Sequence, residues 1–293
     1  MRVLVTGATG FVGRHLVQFL KSRGETVFGT YLSKKTVGTD PEARLFRCDV
    51  RERVALRKIV GALRPKRIYH LAAVSSSQES LRHSQDVFEA NFLGTYNLLE
   101  SVRQIVPDAR VLVVGSGQCY GPVKPSHLPV TEDQAFAPPN PYALSKAAAD
   151  MLAGQYYFRF GLHIIRARPF NHTGPGQMPG FVCSDFARQI ADVRDGVQAY
   201  QLLLEKGKNG EAYNVASGQA TWVWQIVRVL ASFSSWRIRL SVQGQRFRPG
   251  DVRTLYGSSL KLRRATGWKP AYNLRTTLRD LYVWWKMTEC VRS

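Results

Sequence analysis

The sequence is poor in several things at once. Acidic residues number 21 against 41 Lys and Arg, which leaves a formal net charge of +20. Only four cysteines occur, at 48, 119, 183 and 290. Their spacing fits neither a metal site nor a disulfide framework and predicts reduced thiols in a cytoplasmic protein. No run approaches the roughly 18 apolar residues of a membrane span. The apolar stretch in "MRVLVTG" is too short for a signal peptide. No repeat or low-complexity segment is present. No helix-turn-helix, zinc-finger or RNA-binding signature accompanies the positive charge, so nucleic acid is not the expected partner. Residues 225–293 hold 14 Lys and Arg against 3 Asp and Glu, so eleven of the net charges lie there. Such a field favours nucleotides and other polyanions, or is simply a solvated surface.

What is present is ordinary for a globular chain of 293 residues, with 44% hydrophobic and 21% charged. That length suits one large domain or two interlocked ones. Short apolar runs, "RVLVTG", "TVFGTY", "ARLFRCDV", "RIYHLAA", "ARVLVVGS" and "LHIIRARPFN", read as strands. Helical spacing occurs between them, over residues 11–24, near 52–63, over 86–106 and over 141–159. Strands that are apolar throughout and alternate with helices mean a parallel sheet covered on both faces. The predicted fold is therefore α/β, a Rossmann-like doubly wound parallel sheet with a smaller α/β substrate lobe. Residues 1–168 make the nucleotide-binding domain, to which a helix and strand return at about 193–217. Residues 169–293 make most of the second lobe, with a helix near 221–233, a short strand "RIRLSV", a loop "RFRPGD" and terminal helices.

Two motifs carry chemistry. "TGATGFVG" places Gly7, Gly10 and Gly13 between a strand and a helix. Gly7 permits a tight turn, Gly10 lets backbone approach a pyrophosphate at a helix N-terminus, and Gly13 lets helix pack on strand. After the second strand, "GTYLSKK" offers uncharged Thr30, Tyr31 and Ser33 and cationic Lys34 and Lys35, with no acidic residue for a ribose 2′-hydroxyl. This favours NADPH, with NADH as the alternative. Asp49 follows the third strand, within reach of an adenine ring. In "NPYALSKAAAD", Tyr142 and Lys146 lie four apart on one helix face, where a nearby ammonium and the cofactor's positive charge would lower the phenol pKa. Ser116, ending the fifth strand, completes a set able to hydrogen-bond and protonate a carbonyl oxygen.

The glycine pattern, "HLAA" at 70–73, Asn91 in "NFLGT", Ser116, Tyr142 and Lys146 resemble the extended short-chain dehydrogenase/reductases. The similarity covers nearly the whole chain. "RARPFNHTGPGQ", "DVRD", "EAYNVASG", "RPGDV" and "GWKP" are most similar to the GDP-6-deoxy-D-mannose reductases. In that family an NADPH hydride reduces the 4-keto group of GDP-4-dehydro-6-deoxy-D-mannose to give GDP-D-rhamnose. The resemblance implies that Tyr142 donates the proton, Lys146 holds the nicotinamide ribose and Ser116 steadies the oxygen. It further implies a cofactor site of Gly7, Gly10, Phe11, Val12, Gly13, Thr30, Lys34, Asp49, Val50, Leu71, Ala72 and Ala73, with Tyr142 and Lys146. Asn171 and Arg248 would approach the GDP-sugar, Arg248 at the diphosphate. Ser75 and Ser76 lie where the family touches the sugar, and read equally well as helix caps. A homodimer through helices 86–106 and 141–159 is implied too.

Sister activities are weighed by single residues. A 4,6-dehydratase needs a carboxylate two residues before the tyrosine of "SGQCYG"; here stands Gln118, beside Cys119, and an amide is no base. A 4-epimerase needs only the three catalytic residues but prefers tightly held NAD. Glu132 and Asp133 read as loop-surface carboxylates without a role. Where the family carries about two dozen further residues, "FARQIA" joins "DVRD" directly. The apolar residues Phe186, Ile190, Val193, Val197, Tyr200 and Leu204 stay in helical phase through this seam. One continuous helix is expected there, with Gly196 its weak point, together with a weakened GDP-sugar site. The remaining alternatives are another nucleotide-sugar epimerase or reductase, and a catalytically weak NADP-binding homologue.

Overall fold

The computed structural model describes residues 1–33, 44–75, 77–177, 191–234 and 254–290. Its strands are β1 (Arg2–Thr6), β2 (Thr26–Tyr31), β3 (Arg44–Arg47), β4 (Arg67–His70), β5 (Arg110–Val114), β6 (Ile164–Pro169), β7 (His172–Thr173), β8 (Ala191–Asp192) and β9 (Ala212–Val215). Its helices are α1 (Phe11–Ser22), α2 (Arg53–Leu63), α3 (Ser77–Arg82), α4 (Ser84–Phe88), α5 (Gly94–Ile105), α6 (Pro141–Phe160), α7 (Val193–Lys206), α8 (Val223–Ala231), α9 (Leu260–Thr266) and α10 (Leu274–Cys290).

Seven strands form one sheet in the order β3-β2-β1-β4-β5-β6-β9, every pair parallel. The strand order reverses between β1 and β4, and ligands of such sheets bind beyond the carboxyl ends of the strands at that point. Both faces of the sheet are apolar, as a doubly covered sheet requires. On one face Val3, Val5, Tyr69 and Ile165 pack with Leu16 and Leu20 of α1 and Leu203 and Leu204 of α7. On the other, Leu4, Ile68 and Val111 pack with Leu56 of α2, Leu98 and Leu99 of α5 and Ala153 of α6. A smaller cluster of Tyr120, Val130, Phe170, Ala216 and Leu255 lies beyond the sheet's end. The predicted strand "RIRLSV" and the loop "RFRPGD" lie outside the described residues.

The helix predicted over 86–106 is present from Ser84 to Ile105, with a π turn at Glu89–Leu93 joining α4 to α5. Two expectations change. The single helix through the seam is overturned. Ala191–Asp192 is extended and pairs in parallel with His172–Thr173, and α7 begins only at Val193. Asp192 ends the extended segment because its carboxylate accepts the Arg194 amide at 2.8 Å as the helix N-cap. Gly196 is no weak point either. A Cβ there would come within 2.6 Å of His172 Nε2, so the position needs glycine for the close approach of α7 to β7.

Candidate active site

The glycine turn is built as the motif demands. Gly7 has φ +70°, and a Cβ on it would lie 2.8 Å from the Ala72 nitrogen. Gly10 donates its amide to the Gly7 carbonyl at 3.1 Å and starts α1 with no side-chain cap and no acidic residue in the first turn. The positive end of α1 is thus left for an external anion. At Gly13 a Cβ would fall 2.2 Å from the Gly7 oxygen. Thr30 secures the turn from β2: its carbonyl accepts the Ala8 amide at 2.9 Å and its hydroxyl the Gly7 amide at 3.3 Å. Phe11 stands edge-on to His15, and Val12 packs into the core.

A buried polar chain ties this turn to α6. The Ala72 amide donates to Thr6 Oγ1 at 3.2 Å, which faces His70 Nδ1 at 2.8 Å. His70 Nε2 lies 3.1 Å from Thr95 Oγ1, whose proton goes to the Asn91 carbonyl at 2.6 Å. The Asn91 amide clasps Val74 from both sides and donates to Ser145 Oγ at 2.9 Å, which in turn donates to the Tyr142 carbonyl at 2.8 Å. This arrangement is self-consistent with His70 neutral and protonated on Nε2. Burial, with Lys146 nearby, lowers the His70 pKa to about 3.

α6 opens at Asn140, whose side chain caps the Ala143 amide at 2.9 Å, followed by Pro141 at the first helical position. Tyr142 and Lys146 follow on one face and are both buried. The Ser116 hydroxyl is in hydrogen-bonding reach of the phenol, and it also caps the turn Gly117–Tyr120 by accepting the Gln118 amide at 3.1 Å. Lys146 Nζ donates to the Val114 carbonyl at 2.7 Å, at the carboxyl end of β5. The three residues therefore converge where the sheet predicts a ligand. Burial pushes the Tyr142 pKa up to about 12, with the Ser116 bond opposing. Burial also lowers Lys146 to about 8. A phenol so held stays protonated at neutral pH, which suits an acid.

Other predicted residues are placed less closely to this centre. The Asp49 carboxylate is gripped by Arg51 Nη2 at 2.7 Å and Nε at 3.0 Å, which holds it below its ordinary pKa. Val50 is buried under Gly94, with its carbonyl accepting Asn97 Nδ2 at 3.1 Å. Leu71, Ala72 and Ala73 follow β4 and are half-buried, and Ser75 is exposed. Asn171 follows β6, its carbonyl accepting the Ala191 amide at 2.9 Å. Lys34, Ser76 and Arg248 lie outside the described residues. Glu132 is not a loop-surface group: it is half-buried, accepts the Asn214 amide at 2.7 Å, and its carbonyl accepts Arg168 Nη1 at 3.0 Å. The residues that sequence reasoning missed are Thr6, Thr95, Tyr200 and the Asp150–Arg168 pair. Asp150 alone had a local signal, lying two further turns along the Tyr142 face.

Residues 4–230 match the family model described as GDP-mannose 4,6 dehydratase. A GDP-6-deoxy-D-mannose reductase of Pseudomonas aeruginosa is 32% identical over 311 aligned positions that cover 97% of each chain. Those positions outnumber the 293 residues here, so that relative holds positions without a counterpart in this chain. The solved structure of RMD from Pseudomonas aeruginosa complexed with NADPH superposes with TM-score 0.84 at 31% identity, covering 98% of this chain and 99% of that one. The Thermus thermophilus UDP-glucose 4-epimerase complex with NAD gives TM-score 0.86 at 27% identity, covering 98% and 99%. With its glycine turn, parallel sheet and Tyr142–Lys146 helix, the chain belongs to the GDP-mannose 4,6-dehydratase family of the extended short-chain dehydrogenase/reductases.

Proposed function

We propose that this protein is an NADPH-dependent reductase of GDP-4-dehydro-6-deoxy-D-mannose that forms GDP-D-rhamnose. One observation carries the reading: a buried Ser116–Tyr142–Lys146 set stands at the ligand end of the sheet with the amide of Gln118, not a carboxylate, on the neighbouring turn. The residues present fit a dinucleotide. The turn leaves no room for a side chain at Gly7 or Gly13, and α1 starts at Gly10 with no side-chain cap, which suits a pyrophosphate. Lys146 would hold the nicotinamide ribose. When bound, reduced nicotinamide supplies a hydride to the C4 carbonyl carbon.

This chain's own residues manage the proton and the charge. Ser116 donates a hydrogen bond to the carbonyl oxygen and orients it toward Tyr142. Tyr142 passes its phenolic proton to that oxygen as negative charge develops. The Lys146 ammonium stabilises the phenolate left behind, and solvent returns the proton. A 4,6-elimination would need a base for the C5 proton, which Gln118 does not provide.

The test is incubation of purified protein with NADPH and the 4-keto GDP-sugar, following loss of nicotinamide absorbance and appearance of the 4-hydroxy sugar. Turnover supports the proposal. NAD retained through purification, with interconversion of C4 epimers and no net reduction, replaces it with an epimerase. Cofactor binding without turnover of any nucleotide sugar replaces it with a catalytically weak homologue, for which the relative's additional aligned positions are the supporting observation. We further propose two lobes, residues 1–168 with 193–217 and the remainder of 169–293, and a homodimer through α4, α5 and α6. Leu144, Met151 and Phe158 of α6 are exposed, Phe158 at 89%, and sedimentation of Met151→Glu against the parent protein tests that pairing.

A further inference from the structure

Behind the Ser116–Tyr142 pair lies a buried ionic cluster that touches no reacting group. Tyr142, Lys146 and Asp150 are spaced four apart and share one face of α6. The first meets Ser116, the second the Val114 carbonyl, and the third turns to β6. There Arg168 donates Nε to Asp150 Oδ2 and Nη2 to Oδ1, each at 2.9 Å. Its Nη1 donates to the Tyr120 hydroxyl at 2.9 Å and to the Glu132 carbonyl at 3.0 Å. Arg166 adds Nη1 to Asp150 Oδ1 at 2.9 Å.

The Ser116 loop rests on this cluster at both ends. Gly115 donates its amide to the Ala167 carbonyl at 2.8 Å, beside Arg168 on the strand. A Cβ on Gly115 would sit 3.5 Å from Asp150 Oδ2 and 3.9 Å from Arg168 Cγ. Tyr120, at the other end of the turn that Ser116 caps, is held by Arg168 and donates its own proton to Asn214 Oδ1 at 2.8 Å. One carboxylate on the tyrosine's helix and one guanidinium on the adjoining strand thus clamp the serine's loop. A planar guanidinium bound on two edges fixes direction as well as distance. Stability alone does not call for it, since apolar pairs of similar volume often replace buried ion pairs without loss.

We propose that Asp150 and Arg168 are positioning residues that set the Ser116–Tyr142 geometry, an inference that rests on the reading of this pair as the acid centre of a reductase. The test compares the parent with Arg168→Lys, which keeps charge but loses the fork, and with the double substitution Asp150→Leu with Arg168→Met. Five quantities are read: melting temperature, NADPH affinity, kcat and KM for the 4-keto GDP-sugar, and the titration of Tyr142. The last is followed by fluorine NMR of fluorotyrosine-labelled protein, with the resonance assigned by Tyr142→Phe.

The double variant also takes the carboxylate from Arg166, so it is expected to melt below the parent while binding NADPH with affinity unchanged. Its kcat should fall about 10- to 100-fold with little change in KM. Its Tyr142 should titrate higher, because the Ser116 bond that lowers the phenol is loosened. The other groups facing that phenol, Cys119, Tyr200 and Lys146 one turn on, are unaltered. A folded double variant with parental kcat and parental Tyr142 titration overturns the proposal. So does a loss of kcat in Arg168→Lys that only tracks its melting temperature. If the double variant does not fold, Arg168→Lys decides by the same readings. If the parent turns over no nucleotide sugar, the reductase reading fails, while an unshifted Tyr142 titration still overturns the positioning role and a raised one upholds it.

Discussion

Gly13 is the least replaceable residue of the cofactor turn. Its missing Cβ would lie 2.2 Å from the Gly7 oxygen and 2.8 Å from the Ala8 carbonyl, all backbone atoms with nowhere to move. Gly13→Ala should cost about 1–3 kcal/mol in stability by overpacking. It should also weaken NADPH binding by about tenfold or more, equivalent to 1.4 kcal/mol, which denaturant melts and a fluorescence titration check. Tyr142→Phe removes the proposed proton donor alone, and kcat should fall by about 10²- to 10⁴-fold while NADPH affinity holds. The pH profile separates the two partners. Lys146 loses its charge as pH rises through about 8, whereas Tyr142 remains protonated to about 12. Cofactor binding and kcat/KM should therefore decline on the alkaline side with a one-proton limb near 8. A limb that persists in a variant lacking the lysine charge at all pH values, Lys146→Met, would reassign it. Tyr142 and Lys146 were legible because a four-residue step on one helix is local information. The Asp150–Arg168 clamp joins a helix to a strand 18 residues on, and no spacing rule links them.

At the scale of elements, α7 shows how periodicity misleads at a boundary. The apolar phase runs unbroken from Phe186 to Leu204, yet the chain at Ala191–Asp192 is extended. Phase reports which side chains face the core and says nothing about whether the backbone between them has found another partner. Here β7 supplies that partner, and the buried Asp192 carboxylate is worth more as a cap than as a helical residue. It also accepts Arg194 Nη2 at 2.7 Å and the Thr277 hydroxyl at 2.8 Å, which bonds α10 to the start of α7. Asp195 continues the clip by accepting the amides of Ala271 at 2.9 Å and Tyr272 at 3.1 Å. Trp268 Nε1 donates to the Asp195 carbonyl at 3.1 Å, so "DVRD" and "GWKP" are two halves of one structural contact. On propensity alone Gly196→Ala would stabilise α7 by about 1 kcal/mol. With the His172 ring 2.6 Å from the new methyl, it should instead destabilise by about 1–3 kcal/mol, measured by urea unfolding.

At the scale of the whole molecule, pH acts through buried histidines. His70 is held neutral to about 3 and His172 to about 4, both by burial, against 6.5 in an unfolded chain. Below 6.5 the unfolded chain binds protons that the folded one refuses, so stability is complete above that pH and is lost as pH falls toward 4 and 3. Each ring contributes about 1.4 kcal/mol per pH unit across its window. The melting temperature should fall between pH 6.5 and 4. His70→Asn should flatten part of that slope, and an unchanged slope would place the acid sensitivity elsewhere. Among the described residues no helix is long and apolar enough to cross a membrane. Eleven of the twenty net positive charges lie in residues 225–293.

Taken alone, the sequence determined what depends on neighbours along the chain. Strand–helix alternation dictated a parallel sheet, the glycine spacing dictated a tight turn between β1 and α1, and a four-residue step placed Tyr142 and Lys146 on one helix face. An amide at Gln118 set the reaction class expected of the site. Tertiary structure alone decided what depends on groups far apart in the chain. It raised the Tyr142 pKa by burying the phenol, turned Lys146 onto the Val114 carbonyl and made Glu132 a half-buried acceptor. It also broke the in-phase run at Asp192 and paired Arg168 with Asp150 behind the serine loop. The physical reason is the same in each case: desolvation and long-range hydrogen bonds are set by what surrounds a group, and those surroundings exist only once the sheet has closed.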